Sequence, residues 1–311
     1  MHSLLLGNGV NRVASQKEWT QLLRELAHEF RAEDLISQIA EKPLSMFIEE
    51  LCAREPGSFE RAERAVKSTF ARLLTEIDPS DVHRRICDPF KVIMTTNYDF
   101  TIEAAFGKSR PNPAHLALET RYNLFRRYQV AGREIWHVHG DIRRPSSMVL
   151  GYDHYAGNLQ KIRNYATGGV EIKKLGHRIA TLLRGENLEI ERSRSVYSWV
   201  DYFLRDHIHI VGLGMDFTEI DLWWLLLHKR RRRDQTGRVF FYQISAPRPP
   251  EETAVTSLLR SLSVEVVRVT AQTYEDCYLR VADAIQKRMQ DFPHLLPMQP
   301  RSKKSATYPQ R

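Results

Sequence analysis

The string Val92-Ile-Met-Thr-Thr-Asn-Tyr-Asp99 passes abruptly from apolar to polar residues. It predicts a buried strand that stops in Thr95-Thr96-Asn97-Tyr98-Asp99. In an open α/β sheet, ligands bind outside the carboxyl ends of the strands, so Asn97 and Asp99 stand where a ligand would be met. Helix capping by Asn97 or Asp99 explains one polar residue there, not five in succession. A second string is His137-Val-His139-Gly-Asp141. Alternate residues of a strand share a face, which would put His137 and His139 on the same side. Imidazole titrates near neutrality and suits general base work. One histidine of the pair is read as the base and the other as structural support. Imidazole also ligates metals, but no third ligand follows by spacing, and no metal is expected.

Two further strings offer backbone rather than side chains. Gly7-Asn8-Gly9-Val10-Asn11 follows the apolar run Ser3–Leu6. Glycines there let the chain turn sharply and approach a pyrophosphate, and a following helix would present amides to it. The third glycine of the dinucleotide fingerprint is missing, as is an acidic residue at the end of a second strand. Ile210-Val-Gly-Leu-Gly-Met-Asp216 ends another apolar run in the same way. A plain strand-to-helix turn capped by Asp216 or Thr218 is the competing reading. Thr218 and Asp221 have the spacing of a capping box.

Strands alternating with helices must position these strings. Apolar runs predict strands at 3–6, 91–96, 134–139, 148–150, 207–212, 238–244 and 264–269. Helical spacing predicts helices at 19–31, 32–54, 58–77, 100–106, 218–230, 251–261 and 273–288, with 152–202 mostly helical. Such alternation implies a parallel sheet covered on both faces. The fold class is α/β: a Rossmann-like parallel sheet with helices on both faces, plus a helical subdomain formed by inserts. The core covers about 1–15, 88–150 and 205–290 of a single 1–292 domain. Inserts at about 30–88 and 152–205 are expected to roof the pocket, and 293–311 to form a loose basic tail.

Composition narrows the class. No run approaches the ~18–20 apolar residues of a membrane span. The start lacks the basic n-region of a signal peptide. Cys52, Cys87 and Cys277 are far apart, which argues against a cysteine-built zinc site and fits a reducing compartment. A cytoplasmic protein is expected. Net charge is +8. The run His228-Lys-Arg-Arg-Arg-Arg233 and the tail hold much of that excess. Either Lys229–Arg233 meets nucleic acid or an acidic partner, or the run is a solvated helix end.

Taken in order, the four strings resemble the SIR2 family. Gly7-Asn8-Gly9 looks like its glycine loop, with Asn8 where sirtuins usually carry Ala. Thr96-Asn97-Tyr98-Asp99 is similar to its Gln-Asn-Ile-Asp, His139-Gly140 matches its catalytic His-Gly, and Gly212-Leu213-Gly214 stands at its Gly-Thr-Ser. The match spans about residues 4 to 245. Thr-Thr-Asn-Tyr-Asp, His-Gly-Asp-Ile and Leu150-Gly-Tyr-Asp-His-Tyr155 look like the SIR2-like branch of bacterial anti-phage defence systems. Protein deacylases of the family carry a four-cysteine zinc module after the catalytic histidine, and here no cysteine lies between Cys87 and Cys277.

The resemblance implies NAD+ as substrate, without a metal, and an NAD+ hydrolase yielding nicotinamide and ADP-ribose. Asn97 and His139 would be catalytic: Asn97 holding a ribose hydroxyl or the attacking water, His139 acting as base. Gly7, Asn8, Gly9, Asn11, Arg12, Thr96, Asp99, Gly212, Leu213 and Gly214 would bind the dinucleotide, with Asp99 seating the nicotinamide amide. Constant activity would be toxic, so a sensor or regulatory subunit and a homo-oligomer are expected as gates. A non-catalytic NAD+ or ADP-ribose-binding subunit, a nucleic-acid-associated subunit and a deacylase are the competing readings.

Overall fold

The structure is a computed structural model that describes residues 1–14, 19–39, 41–74, 77–107, 111–114, 121–172, 177–179, 181, 196–232 and 236–293. Arg233 and the tail from 294 lie outside the described residues.

The chain opens with β1 (His2–Leu6), whose Leu4, Leu5 and Leu6 are fully buried. A strand covered on both faces reads as a continuous apolar run. A short 3-10 turn over Asn8–Val13 follows, then three helices: α1 (Trp19–Glu29), α2 (Leu44–Arg54) and α3 (Phe59–Leu73). Pro56-Gly57 breaks the chain before α3, and Ser58 caps it by accepting from the Arg61 amide. The short helix α4 (Asp81–Cys87) leads into β2 (Val92–Thr95) and α5 (Thr101–Ala105). Next come β3 (Pro113–Ala114), β4 (Arg127–Val130) and β5 (Arg133–His137). Helix α6 (Tyr152–Thr167), the ribbon β6 (Val170–Ile172) with β7 (His177–Ile179), and α7 (Trp199–Arg205) make up the second insert. The chain closes with β8 (His207–Val211), α8 (Ile220–Arg231), β9 (Val239–Ser245), α9 (Ala254–Ser261), β10 (Val264–Thr270) and α10 (Tyr274–Asp291).

The main sheet has eight strands in the order β10-β9-β8-β1-β2-β5-β4-β3. The run β10 to β5 is parallel throughout; β4 and β3 add antiparallel edge strands. Numbering only the parallel strands along the chain gives 3-2-1-4-5-6, the order of dinucleotide-binding sheets, with the switch point between β1 and β8. Helices α6 to α9 pack on one sheet face around Trp136 and Ile210. Helices α4, α5 and α10 pack on the other around Leu4 and Ile135. The α/β, Rossmann-like expectation holds.

The inserts differ from expectation. Helices α1 to α3 form their own core and press it on Tyr98, Met148 and Leu150, so they do roof the strand ends. The second insert divides: Ile162, Tyr165 and Trp199 share a core with the sheet itself, while the first turns of α6 bring Tyr155 against His139. It also contains the β6-β7 ribbon where helix was expected. Residues 148–150 pair with no strand; Val149 instead donates to the His139 carbonyl at 2.9 Å. Among the described residues no helix is long and apolar enough to cross a membrane.

Lys229, read above as part of a basic surface, is buried (3% exposed). Its ammonium donates to the carbonyls of Phe203, Leu204 and Asp206 at 3.0, 2.9 and 2.7 Å, closing the end of α7. Desolvation draws its pKa down to about 7, against the pull of Asp206. Lys229 is therefore no nucleic-acid contact; of that run Arg231 is exposed. Lys229→Met would leave those carbonyls unpaired at a cost of at least ~2 kcal/mol. Urea unfolding measures this, and a loss under ~0.5 kcal/mol would contradict the capping role.

Candidate active site

Strands β8, β1, β2 and β5 end side by side, and backbone hydrogen bonds tie their ends together. Gly7 donates to the Val211 carbonyl (2.9 Å), Gly9 to Gly212 (2.7 Å), Thr96 to Leu6 (3.2 Å) and Val138 to Thr95 (2.8 Å). The glycines answer to this crossing first. A Cβ on Gly7 or Gly9 would stand 2.6 or 2.7 Å from the Gly212 carbonyl oxygen, and one on Gly212 2.8 Å from the Val10 amide. Gly212 also has φ +65°, which suits glycine. Gly214 faces open space. The helix expected after Gly9 is a 3-10 turn.

Side-chain partners along Thr95–Asp99 isolate one residue. The Thr95 hydroxyl donates to the Leu6 carbonyl and accepts from the Asn97 amide. Tyr98 donates to the Val149 carbonyl (2.7 Å) and meets Trp19 and Phe70 edge-on beneath the roof. Asp99 accepts from the Thr101 amide at 3.0 Å in a turn just ahead of α5, and its other oxygen faces Asn11 at 3.4 Å. Asn97 is 4% exposed, and among the described residues neither its side-chain oxygen nor its nitrogen has a hydrogen-bond partner. An unsatisfied buried amide costs ~1–3 kcal/mol, and such groups in native proteins call for an explanation.

The two histidines diverge instead of sharing a face, because β5 ends at His137 and Gly140 then turns the chain at φ +84°. A Cβ at Gly140 would meet the Ser147 carbonyl at 2.3 Å. His137 donates from Nδ1 to the Asn97 carbonyl (2.7 Å) and from Nε2 to Glu103 (2.9 Å). Both partners accept only, so the ring is an imidazolium. Burial opposes that charge; Glu103 outweighs it and the pKa rises to about 9. His137 is the structural histidine, and it holds the Asn97 loop.

His139 is 1% exposed and points to the opposite side, against α6 and α8. Its Nε2 lies 2.9 Å from Asp221 and 3.8 Å from Glu219. Burial lowers its pKa, but Asp221 and then Glu219 carry the balance above the ordinary value. Asp221 also accepts from Asn158 at 2.7 Å. The nearer Glu219 oxygen is buried with no hydrogen-bond partner among the described residues, and burial pushes that carboxyl up to about 7. Tyr155 packs edge-on to the His139 ring at 5.3 Å. Sequence reasoning placed none of Glu219, Asp221, Asn158 or Tyr155 in the site. Asp221 was assigned to a capping box, but Thr218 bonds Asp216 instead.

A sequence model of the SIR2-like domain matches residues 91–267, more than half of the 311 residues. The chain belongs to the SIR2-like domain family. A SIR2-like domain fits an NAD-related function, and the family includes NAD-dependent enzymes. A search of curated proteins finds no match.

Within this SIR2-like domain the remaining expected site residues have local partners. Asn8 accepts from Asn11 (2.8 Å), and Asn11 accepts from His83 (2.9 Å). Arg12 is exposed and lies over the Tyr274 ring. Leu213 packs against the core beneath α8. His139, Glu219 and Asp221 present atoms within 4.8 Å of one another, close enough to share a metal ion. Spacing could not show this, since α8 lies some eighty residues beyond His139. An ion there would displace the hydrogen bonds that His139 and Asn158 already make to Asp221.

The His137 imidazolium has a pH signature. Its folded pKa of about 9 exceeds the ordinary 6.5. Its stabilisation is therefore full below about pH 6.5 and lost as pH rises through about 9. Urea unfolding across that window is expected to show a steeper decline in wild type than in Glu103→Gln. Equal slopes would contradict the ion pair.

Proposed function

We propose that the protein is an NAD+ glycohydrolase that converts NAD+ to nicotinamide and ADP-ribose. The orphaned amide of Asn97, buried beside the loop that carries His139, is the observation that supports this reading most. Nicotinamide in NAD+ is already a cationic leaving group. Cleavage of its bond to ribose needs little acid help; it needs the ribose held, water controlled and the developing cation stabilised. Asn97 offers one donor pair and one acceptor to a ribose hydroxyl or the attacking water. The ribose–nitrogen bond breaks with its electron pair leaving on nicotinamide. Water forms the new bond to ribose and gives its proton to His139. Gly7, Gly9, Gly212 and Gly214 would edge the dinucleotide at the switch point. The lack of cysteine between Cys87 and Cys277 favours water over an acyl-lysine as acceptor.

The near-complete burial of Asn97 and His139 supports a gate. NAD+ reaches them only when the α1–α3 roof or the neighbouring loops move. We infer that a regulatory partner or self-assembly drives that movement, in an effector that depletes NAD+ in bacterial anti-phage defence.

The test is nicotinamide release by the protein copurified from its host, with cellular NAD+ followed in parallel. Asn97→Ala and His139→Ala are each expected to lower release at least ~100-fold, Asn97→Ala with a melting temperature near wild type. Full activity in either variant would overturn the assignment.

A further inference from the structure

His139 has a partner that the family motifs do not include. Its Nε2 lies 2.9 Å from Oδ2 of Asp221, and a carboxylate only accepts, so Nε2 carries the proton. Nδ1 keeps its lone pair, and among the described residues no protein group engages it. Asp221 is itself anchored. Asn158 of α6 donates to Oδ2 at 2.7 Å, and the Leu222 amide meets Oδ1 at 2.9 Å. Both Asp221 and Asn158 are fully buried. Tyr155, one helical turn before Asn158, closes the ring's flank edge-on. The imidazole is thus fixed in position, orientation and tautomer by groups from two helices.

We propose that Asp221 is a positioning residue: it holds His139 as the Nε2–H tautomer with Nδ1 presented as the base, and Asn158 holds Asp221. Resting on the hydrolase reading above, the same carboxylate then stabilises the imidazolium formed when Nδ1 takes the proton of the attacking water. The proton stays on the ring and passes from His139 to solvent after turnover. The logic is that of any carboxylate–histidine base: the acid acts through the ring, not on the substrate. Glu219, 3.8 Å from the same nitrogen, is too long a contact to compete for the proton.

Asp221→Asn keeps size and removes the charge. Two measurements on the full chain distinguish the outcomes. Imidazole nitrogen NMR at alkaline pH reads the His139 tautomer without substrate, with His139→Ala assigning the signal. Wild type is expected to show Nε2–H alone, and Asp221→Asn a mixture or the reverse. Steady-state kinetics with NAD+ are expected to show kcat down ~100- to 10,000-fold with KM nearly unchanged. A residue of merely structural importance would instead lower the melting temperature and leave the tautomer alone. Should Asp221→Asn not fold, Asn158→Ala, which frees the carboxylate, is expected to mix the tautomers and lower kcat ~10-fold. An unchanged tautomer, or unchanged kcat in an active protein, overturns the assignment of Asp221. A wild type that fixes the tautomer through Asp221 yet releases no nicotinamide, even as the complex copurified from its host, upholds the positioning role and overturns the hydrolase reading.

Discussion

A short row of backbone hydrogen bonds across four strand ends fixes everything else in the site. Gly7 to Val211, Gly9 to Gly212, Thr96 to Leu6 and Val138 to Thr95 lock the loops after β1, β2, β5 and β8 into one register. The row can form only because glycine stands where the β1 and β8 loops cross. Asn97 and His139 inherit their positions from it. Behind the row, two buried ion pairs hold the loops in place: His137 with Glu103, and Asp141 with Arg126 at 2.7 Å. Buried pairs pay heavily in desolvation and add little net stability. Their value here lies in position, since each clamps a residue adjacent to a candidate catalytic one.

Much of the fold was legible. Buried central strands such as β1 and β2 carry apolar residues on both faces at Leu4–Leu6 and Val92–Met94, so they stand out as continuous runs. Helices α9 and α10 start where threonines accept from the first amides. Strand β4 was not legible, because Arg127-Tyr-Gln-Val130 is mostly polar and its strand character comes from pairing with β5 and β3. The β6-β7 ribbon was lost within an apparently helical insert for the same reason.

The site was legible where it is local and opaque where it is not. Asn97, His139 and the glycines sit in strings whose abrupt change of character shows in the sequence. Asp221 sits in Glu219-Ile-Asp-Leu-Trp-Trp224, where spacing suggested a cap. Its role depends on His139, brought beside it by the sheet order. Glu103 and Lys229 were hidden likewise: each reads as helix surface until its buried partners are known. Of the five polar residues at the end of β2, side-chain hydrogen bonding explains Thr95, Tyr98 and Asp99, and Thr96 is tied to Leu6 through its backbone amide. The unpartnered Asn97 amide is what a bound ribose or water would complete.

The central claim is that water is the acceptor in this site. The most direct measurement is the ratio of ADP-ribose to nicotinamide formed from NAD+ with no acyl-peptide present. The account predicts equal amounts of the two products. Nicotinamide that appears only when an acylated peptide is added would contradict it.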